Sequence, residues 1–263
     1  GIVIGGFWSM SAATVMRLVP EGQVPRALGV LNGGNALAMT IAAPLGSFLG
    51  QYIGWRGAFF CVVPLAILTL VWQFIALPSM PSERKAGSGS VLRVLRRPQV
   101  PVGMLAITGL FMGQFALFTY LRPFLEGVTQ VDVTTLSVIL LVVGGAGLLG
   151  TYLISFLLKD RLHGLLVGMP LAMAAIAVGL IVLGQSSIAT TALLFGWGLI
   201  GTAAPVAWWT WLSRTLPDDA EAGGGLMVAV VQLAITAGAG AGGLLFDASG
   251  YQSTFGLGAA LLC

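Results

Sequence analysis

Polar and aromatic side chains fall at helical spacing inside long apolar runs, where such residues are costly and therefore informative. Phe111, Gln114, Phe115 and Phe118 share one helical face at i, i+3, i+4 and i+7. Asn32 and Asn35 lie a turn apart in a second run, and Gln232 and Thr236 share a face of a third. Trp197 and Trp208 flank Pro205 at a separation of about three turns. Trp8 and Ser11 extend the set near the start of the chain. The chemistry such groups can do is recognition: uncharged amides read the edge of a polar solute, and flat rings stack on it. The same residues are open to a second reading, in which amides and hydroxyls tie neighbouring helices together and aromatics pack. Trp208, Trp209 and Trp211 also fit an interfacial belt.

Bond-making chemistry finds no such support. The chain has one histidine, His163, in a short loop, and none of its nine acidic residues falls inside an apolar run. A general base or paired acids within the membrane would be needed for catalysis there. Asp218 and Asp219 could bind a metal in principle, but DDAE reads as a capped, solvated helix start. No catalytic residue, metal or cofactor is expected. Cys61 and Cys263 both sit in apolar runs, which argues against a disulfide framework.

The elements that must hold these residues follow from composition. Hydrophobic residues make up 57% of the chain and charged residues 8%, against about 25% charged in a soluble domain. So few charges cannot cover a water-facing surface, and lipid is the expected solvent. Apolar runs fall at Gly1–Val19, Leu28–Ile53, Gly57–Leu77, Val100–Leu121, Leu136–Leu158, Leu165–Leu183, Ile188–Leu212, Gly224–Phe246 and Ser253–Cys263. Most reach the roughly 20 residues of a spanning helix, and none alternates with period two as a barrel strand would. The expected fold class is an all-α polytopic membrane protein. The chain opens and closes inside apolar runs, so it reads as a piece of a longer protein.

Lys and Arg set the orientation. Arg17, Arg26, Arg84, Lys85, Arg93, Arg96, Arg97, Lys159, Arg161 and Arg214 occupy alternate loops, which are expected to be cytoplasmic. Arg56 and Arg122 occupy the others, Arg122 at an outer mouth where it could act as a gate or meet headgroups. Pro78–Pro98 is the longest break and divides the chain into 1–77, a linker 78–98 and 99–263. Its SMPSERKAGSGS part reads as solvated linker, and VLRVLRRP as a basic helix start or a surface-lying segment.

A long stretch also occurs twice. Pro25–Phe60, moved forward by about 196 positions, falls on Glu221–Phe255. Gly29 then meets Gly225, Leu37 meets Leu233, Thr40 meets Thr236, Gly46 meets Gly242, Gly54 meets Gly250 and Phe59 meets Phe255. Pro44 should kink or loosen the first copy. Ala43, Gly46, Ser47 and Gly50 form a flat strip beside it, answered by Gly238, Gly240, Gly242 and Gly243. Small-residue strips let backbones pack closely in lipid, and the two copies are candidates for a moving interface.

With GGFWSMSA and MRLVP, APLGSFLG and IGWR, GQFALFTYLRP, PVAWWTW and VAVVQLA in view, the chain resembles the drug–proton antiporter branch of the major facilitator superfamily. Within it, the set is similar to bacterial purine ribonucleoside efflux pumps. APLGSFLG departs from the branch's antiporter motif at Ala43, Ser47 and Phe48. The resemblance implies two six-helix halves, of which this chain would hold spans four to twelve. It also implies monomeric, proton-driven export of nucleosides from the cell across the inner membrane, with lipid rather than nucleic acid as surroundings. Sugar or multidrug export by the same fold is the alternative, and a membrane-embedded enzyme a distant one. With no acid inside a span, the proton carrier is expected upstream of Gly1.

Overall fold

The computed structural model describes residues 7, 11, 14, 18–20, 24–78, 94–216 and 219–263. Their regular elements are all helical: α1 (Val24–Phe60), α2 (Val62–Ala76), α3 (Gln99–Phe118), α4 (Leu121–Gly127), α5 (Val133–Leu183), α6 (Ser187–Thr215), α7 (Ala220–Ser249) and α8 (Tyr251–Leu262). Six stretches among them are long and apolar enough to cross a membrane: Pro44–Ala76, Gln99–Gly127, Val133–Leu158, Arg161–Leu183, Ser187–Thr215 and Ala222–Ser249. The expected run Gly1–Val19 lies almost wholly outside the described residues, as does most of the 78–98 linker.

Two glycines break the helices at matched points of the repeat. Gly54 has φ 71° and ψ 165°, and Gly250 has φ 80° and ψ −176°. A side chain cannot adopt that backbone without strain, which is why glycine stands at both corners. The aromatic pairs just past the corners match as well. Trp55 and Phe59 meet edge-on with centroids 6.4 Å apart, and Tyr251 and Phe255 do so at 5.9 Å.

Pro44 lies inside α1. The backbone stays helical through it, and Gly54 is the non-helical residue of α1. Proline's fixed φ is itself helical, so what it removes is one hydrogen bond, whereas the corner needs a torsion only glycine supplies.

Packing runs α5 along α6 and α3 along α7, with α8 seated against α3, α5 and α7, and α1 against α5. Glycines bring backbones into contact at both main seams. A Cβ on Gly150 would fall 1.9 Å from the Leu199 carbonyl oxygen, and one on Gly238 2.2 Å from that of Met112. The α7 strip therefore seats on α3, inside the 99–263 block. The reason is that Gly238 and Gly242 face the backbone at Met112 and Ala116. Thr202 donates to the Gly147 carbonyl at 2.7 Å, Tyr120 to that of Ala239 at 2.9 Å and Thr254 to that of Gly242 at 2.9 Å. Such bonds satisfy hydroxyls where lipid offers no partner. Phe124 of α4 nests between Tyr251 and Phe255, at 5.2 and 4.9 Å.

Helix ends are tied in different ways. Asp132 caps α5 by accepting from the Thr135 amide and hydroxyl, and the Thr135 hydroxyl bond is the main reason its carboxyl is held below the usual range. Ser186 caps α6 by accepting from the Ala189 amide at 3.4 Å. Arg214 donates to the Leu158 carbonyl at 3.4 Å, a cation at a helix end where unpaired carbonyls gather. Asp219 was expected as a solvated cap. It makes no capping bond and instead pairs with Arg97 at 2.7 Å, because the entry to α3 lies beside the entry to α7.

Candidate functional site

Helix α6 carries Trp197, Gly201, Ala204 and Trp208 on one buried face, at steps of four, three and four. Helix α3 brings Gln114 onto the middle of that face. Its Nε2 donates to the Gly201 carbonyl at 3.4 Å, and a Cβ on Gly201 would sit 3.0 Å from that nitrogen. Glycine at 201 thus leaves the room in which the amide lies.

Three polar atoms along this face are buried without a hydrogen-bond partner among the described residues: Gln114 Oε1, Trp197 Nε1 and Trp208 Nε1. One is an acceptor and two are donors. A buried polar atom left unpaired costs about 1–3 kcal/mol, and so calls for an explanation such as a water or solute. Phe111 is buried beside Gln114 on α3, and Phe115 and Phe118, half-buried, meet edge-on at 6.2 Å. Trp208 meets Trp211 edge-on at 5.5 Å. A Cβ on Gly103 would meet the Trp211 ring at 2.1 Å, so Trp211 is wedged against α3.

The remaining members of the sequence set stand as follows. Gln232 is half-buried on α7; Thr236 is exposed, its hydroxyl donating to the Gln232 backbone carbonyl at 2.9 Å. Asn35 is exposed on α1 with an interaction of its own, and Ser11 is half-buried with one as well. Trp8 and the side chains of Asn32 and Ala43 lie outside the described residues. In the α1 strip Ser47 is buried with its hydroxyl oxygen unpartnered among the described residues, and none of those residues comes within 4 Å of a Cβ at Gly46 or Gly50. Arg122 is exposed and pairs with Glu126 one turn on, at 2.8 Å.

Sequence reasoning missed Tyr120, whose ring stacks on Phe246 at 5.2 Å while its hydroxyl reaches α7. It also missed the Arg97–Asp219 link between the entries of α3 and α7. Opposite charges at two helix starts on the same side were the available signal. No group of three or more metal-binding side chains occurs among the described residues. Cys61 and Cys263 are exposed free thiols.

Membrane-length helices seated backbone to backbone, with uncharged polar groups on buried faces, define a polytopic membrane protein. Residues 1–239 match the Major Facilitator Superfamily, and the chain belongs to it. It is 59% identical over 266 residues to the transcription regulatory protein OpdE of Pseudomonas aeruginosa. It is 44% identical over 262 residues to the purine ribonucleoside efflux pump NepI of Escherichia coli, and 43% to that of Salmonella paratyphi C. Each alignment covers all of this chain and 66% of the relative, so the chain spans just under two thirds of their length.

Proposed function

We propose that the protein is a secondary transporter that exports purine ribonucleosides, or similar small uncharged solutes, across the inner membrane by alternating access. The observation that carries this reading is the row of buried, unpartnered Gln114, Trp197 and Trp208 atoms where α3 meets α6. A nucleoside brings both donors and acceptors on a flat ring, groups that an amide oxygen or an indole N–H can pair. Uncharged groups suit this task because a charge at mid-membrane is expensive to hold. The name of the Escherichia coli relative supports the substrate class.

Proton exchange as the driving force, and a monomeric working unit, rest on the resemblance to antiporters. The regulatory name of the Pseudomonas relative fits the same reading if export sets the internal level of a small inducer. Transport rather than catalysis is favoured because the inward-facing polar groups are amides and indoles, not acid–base pairs.

Cells expressing the full-length protein should retain less radiolabelled inosine than cells without it. A Gln114→Leu variant, expressed to the same level, should restore retention. Equal retention with and without the wild-type protein overturns the substrate assignment. A panel comparing growth inhibition by purine nucleosides, sugars and dyes separates this reading from sugar or multidrug export.

A further inference from the structure

In an α-helix each backbone carbonyl is taken by the amide N–H four places on. In α6 the residue four places after Gly201 is Pro205, which has no N–H to give. The Gly201 carbonyl thus loses its ordinary partner, and Gln114 of α3 takes that place, its Nε2 donating to the oxygen at 3.4 Å. Glycine at 201 belongs to the same arrangement. A Cβ there would stand 3.0 Å from Nε2 and 3.8 Å from the methyl of Met173, which is fully buried and gives no room behind the amide.

This contact fixes which way round the amide lies. A backbone carbonyl only accepts, so the nitrogen must face it; turned over, the amide would set oxygen against oxygen. Oε1 is therefore the end left over, and it is buried with no partner among the described residues. Phe111, Phe115 and Phe118 lie on the same face of α3, so the neighbourhood of the amide suits a flat ring rather than a sugar. One turn along α6, Trp197 Nε1 is a buried donor, also without a partner among those residues.

We propose that Pro205 and Gly201 are positioning residues that hold the Gln114 amide in one sense, so that the site takes a solute whose ring edge donates a hydrogen bond to Oε1. Which solute this is rests on the transport function proposed above. On a purine nucleoside, the edge that fits carries a ring N–H. An edge with a bare lone pair at that position would meet Oε1 acceptor to acceptor, leaving a buried oxygen unpaired. A glutamine free to turn over would suit either edge and discriminate weakly.

The probe is radiolabelled inosine, which has an N–H at ring position 1, bound to the full-length protein in detergent. It is displaced by unlabelled inosine, 1-methylinosine or purine riboside. The second carries N–CH3 in place of the N–H, and the third a bare ring nitrogen with no added bulk. Both should bind at least about tenfold more weakly than inosine. Pro205→Ala returns an N–H to the Gly201 carbonyl, and Gly201→Ala crowds the amide. Each should narrow the ratio to below about threefold, whereas a merely structural role would weaken all three ligands alike and keep it. Pro170→Ala, at the interior proline of α5, should keep the full ratio. Weak discrimination by the wild type, or an undiminished ratio in both α6 variants, overturns the proposal.

Deuterium exchange at the Gln114 side-chain amide, followed by NMR without solute and assigned by its loss in Gln114→Leu, tests the anchoring by itself. Exchange should be at least about tenfold faster in Pro205→Ala than in the wild type, because the bond to Gly201 is gone. Equal exchange overturns the anchoring. Slow exchange in the wild type without any inosine binding overturns the nucleoside as solute, and leaves the anchored amide standing.

Discussion

Helix α1 repeats the sequence of α7 and the start of α8, yet among the described residues the two copies meet their surroundings differently. The backbone corner is the same at Gly54 and Gly250, and so is the edge-on aromatic pair that follows. Beyond that the copies part. In the second, Gly238 and Gly242 press on the α3 backbone, Thr254 bonds to Gly242, and α8 buries Thr254, Phe255, Gly258, Ala259 and Leu262. In the first, no described residue lies within 4 Å of a Cβ at Gly46 or Gly50. The corner is thus a local property of the duplicated sequence, while seating depends on what stands opposite.

The sharpest test of that contrast is a pair of identical substitutions. Gly242→Ala should lower stability by about 3 kcal/mol, because its Cβ would fall 2.8 Å from the Ala116 main-chain oxygen, which cannot step aside. Gly46→Ala should be neutral or stabilising by up to about 1 kcal/mol, through helix propensity alone. Thermal unfolding in detergent would show the opposite signs; a loss at Gly46 in the full-length protein would mean that α1 is seated there after all. Next in size, Gly54→Ala and Gly250→Ala should each cost about 1–3 kcal/mol, by equal amounts if the corner is truly duplicated. Unequal shifts in melting temperature would break the equivalence.

Thr254→Val should then cost about 1 kcal/mol by removing the bond to Gly242. The matched change Ala58→Thr should cost less, as Ala58 is only half-buried. Smaller still, Asp219→Asn should remove at most about 1 kcal/mol, since Arg97 is 41% exposed and the pair is open to salt screening. Its mark would be an effect that fades as ionic strength rises. Asp132→Ala should have the least effect, seen as faster amide exchange in the first turn of α5. The Asp132 carboxyl is held below its ordinary value, so its contribution is present above that ordinary value and lost as pH falls through the lowered one.

The spans and the corner glycines were legible in the sequence, the former from run length and the latter from aligning Gly54 with Gly250. What faces what was not. In water an amphipathic stripe marks the buried side of a helix, but lipid is as apolar as a core, so that stripe is absent. Hence the α7 glycines could be recognised as a packing strip but not assigned to α3, and Trp197 could not be read as almost fully enclosed. The Arg97–Asp219 pair joins residues far apart along the chain, beyond the reach of any local pattern. Gln114 stood out because a lone amide is conspicuous among phenylalanines; its contact at Gly201 became visible only with α6 in place.

The corners at Gly54 and Gly250 carry a stereochemical consequence. A positive φ with an extended ψ is the mirror image of ordinary extended backbone, so a D-amino acid would occupy it at rest. Installing D-alanine at position 250 by semisynthesis should preserve the fold where its L-enantiomer strains it, which would make handedness itself the reporter of this turn.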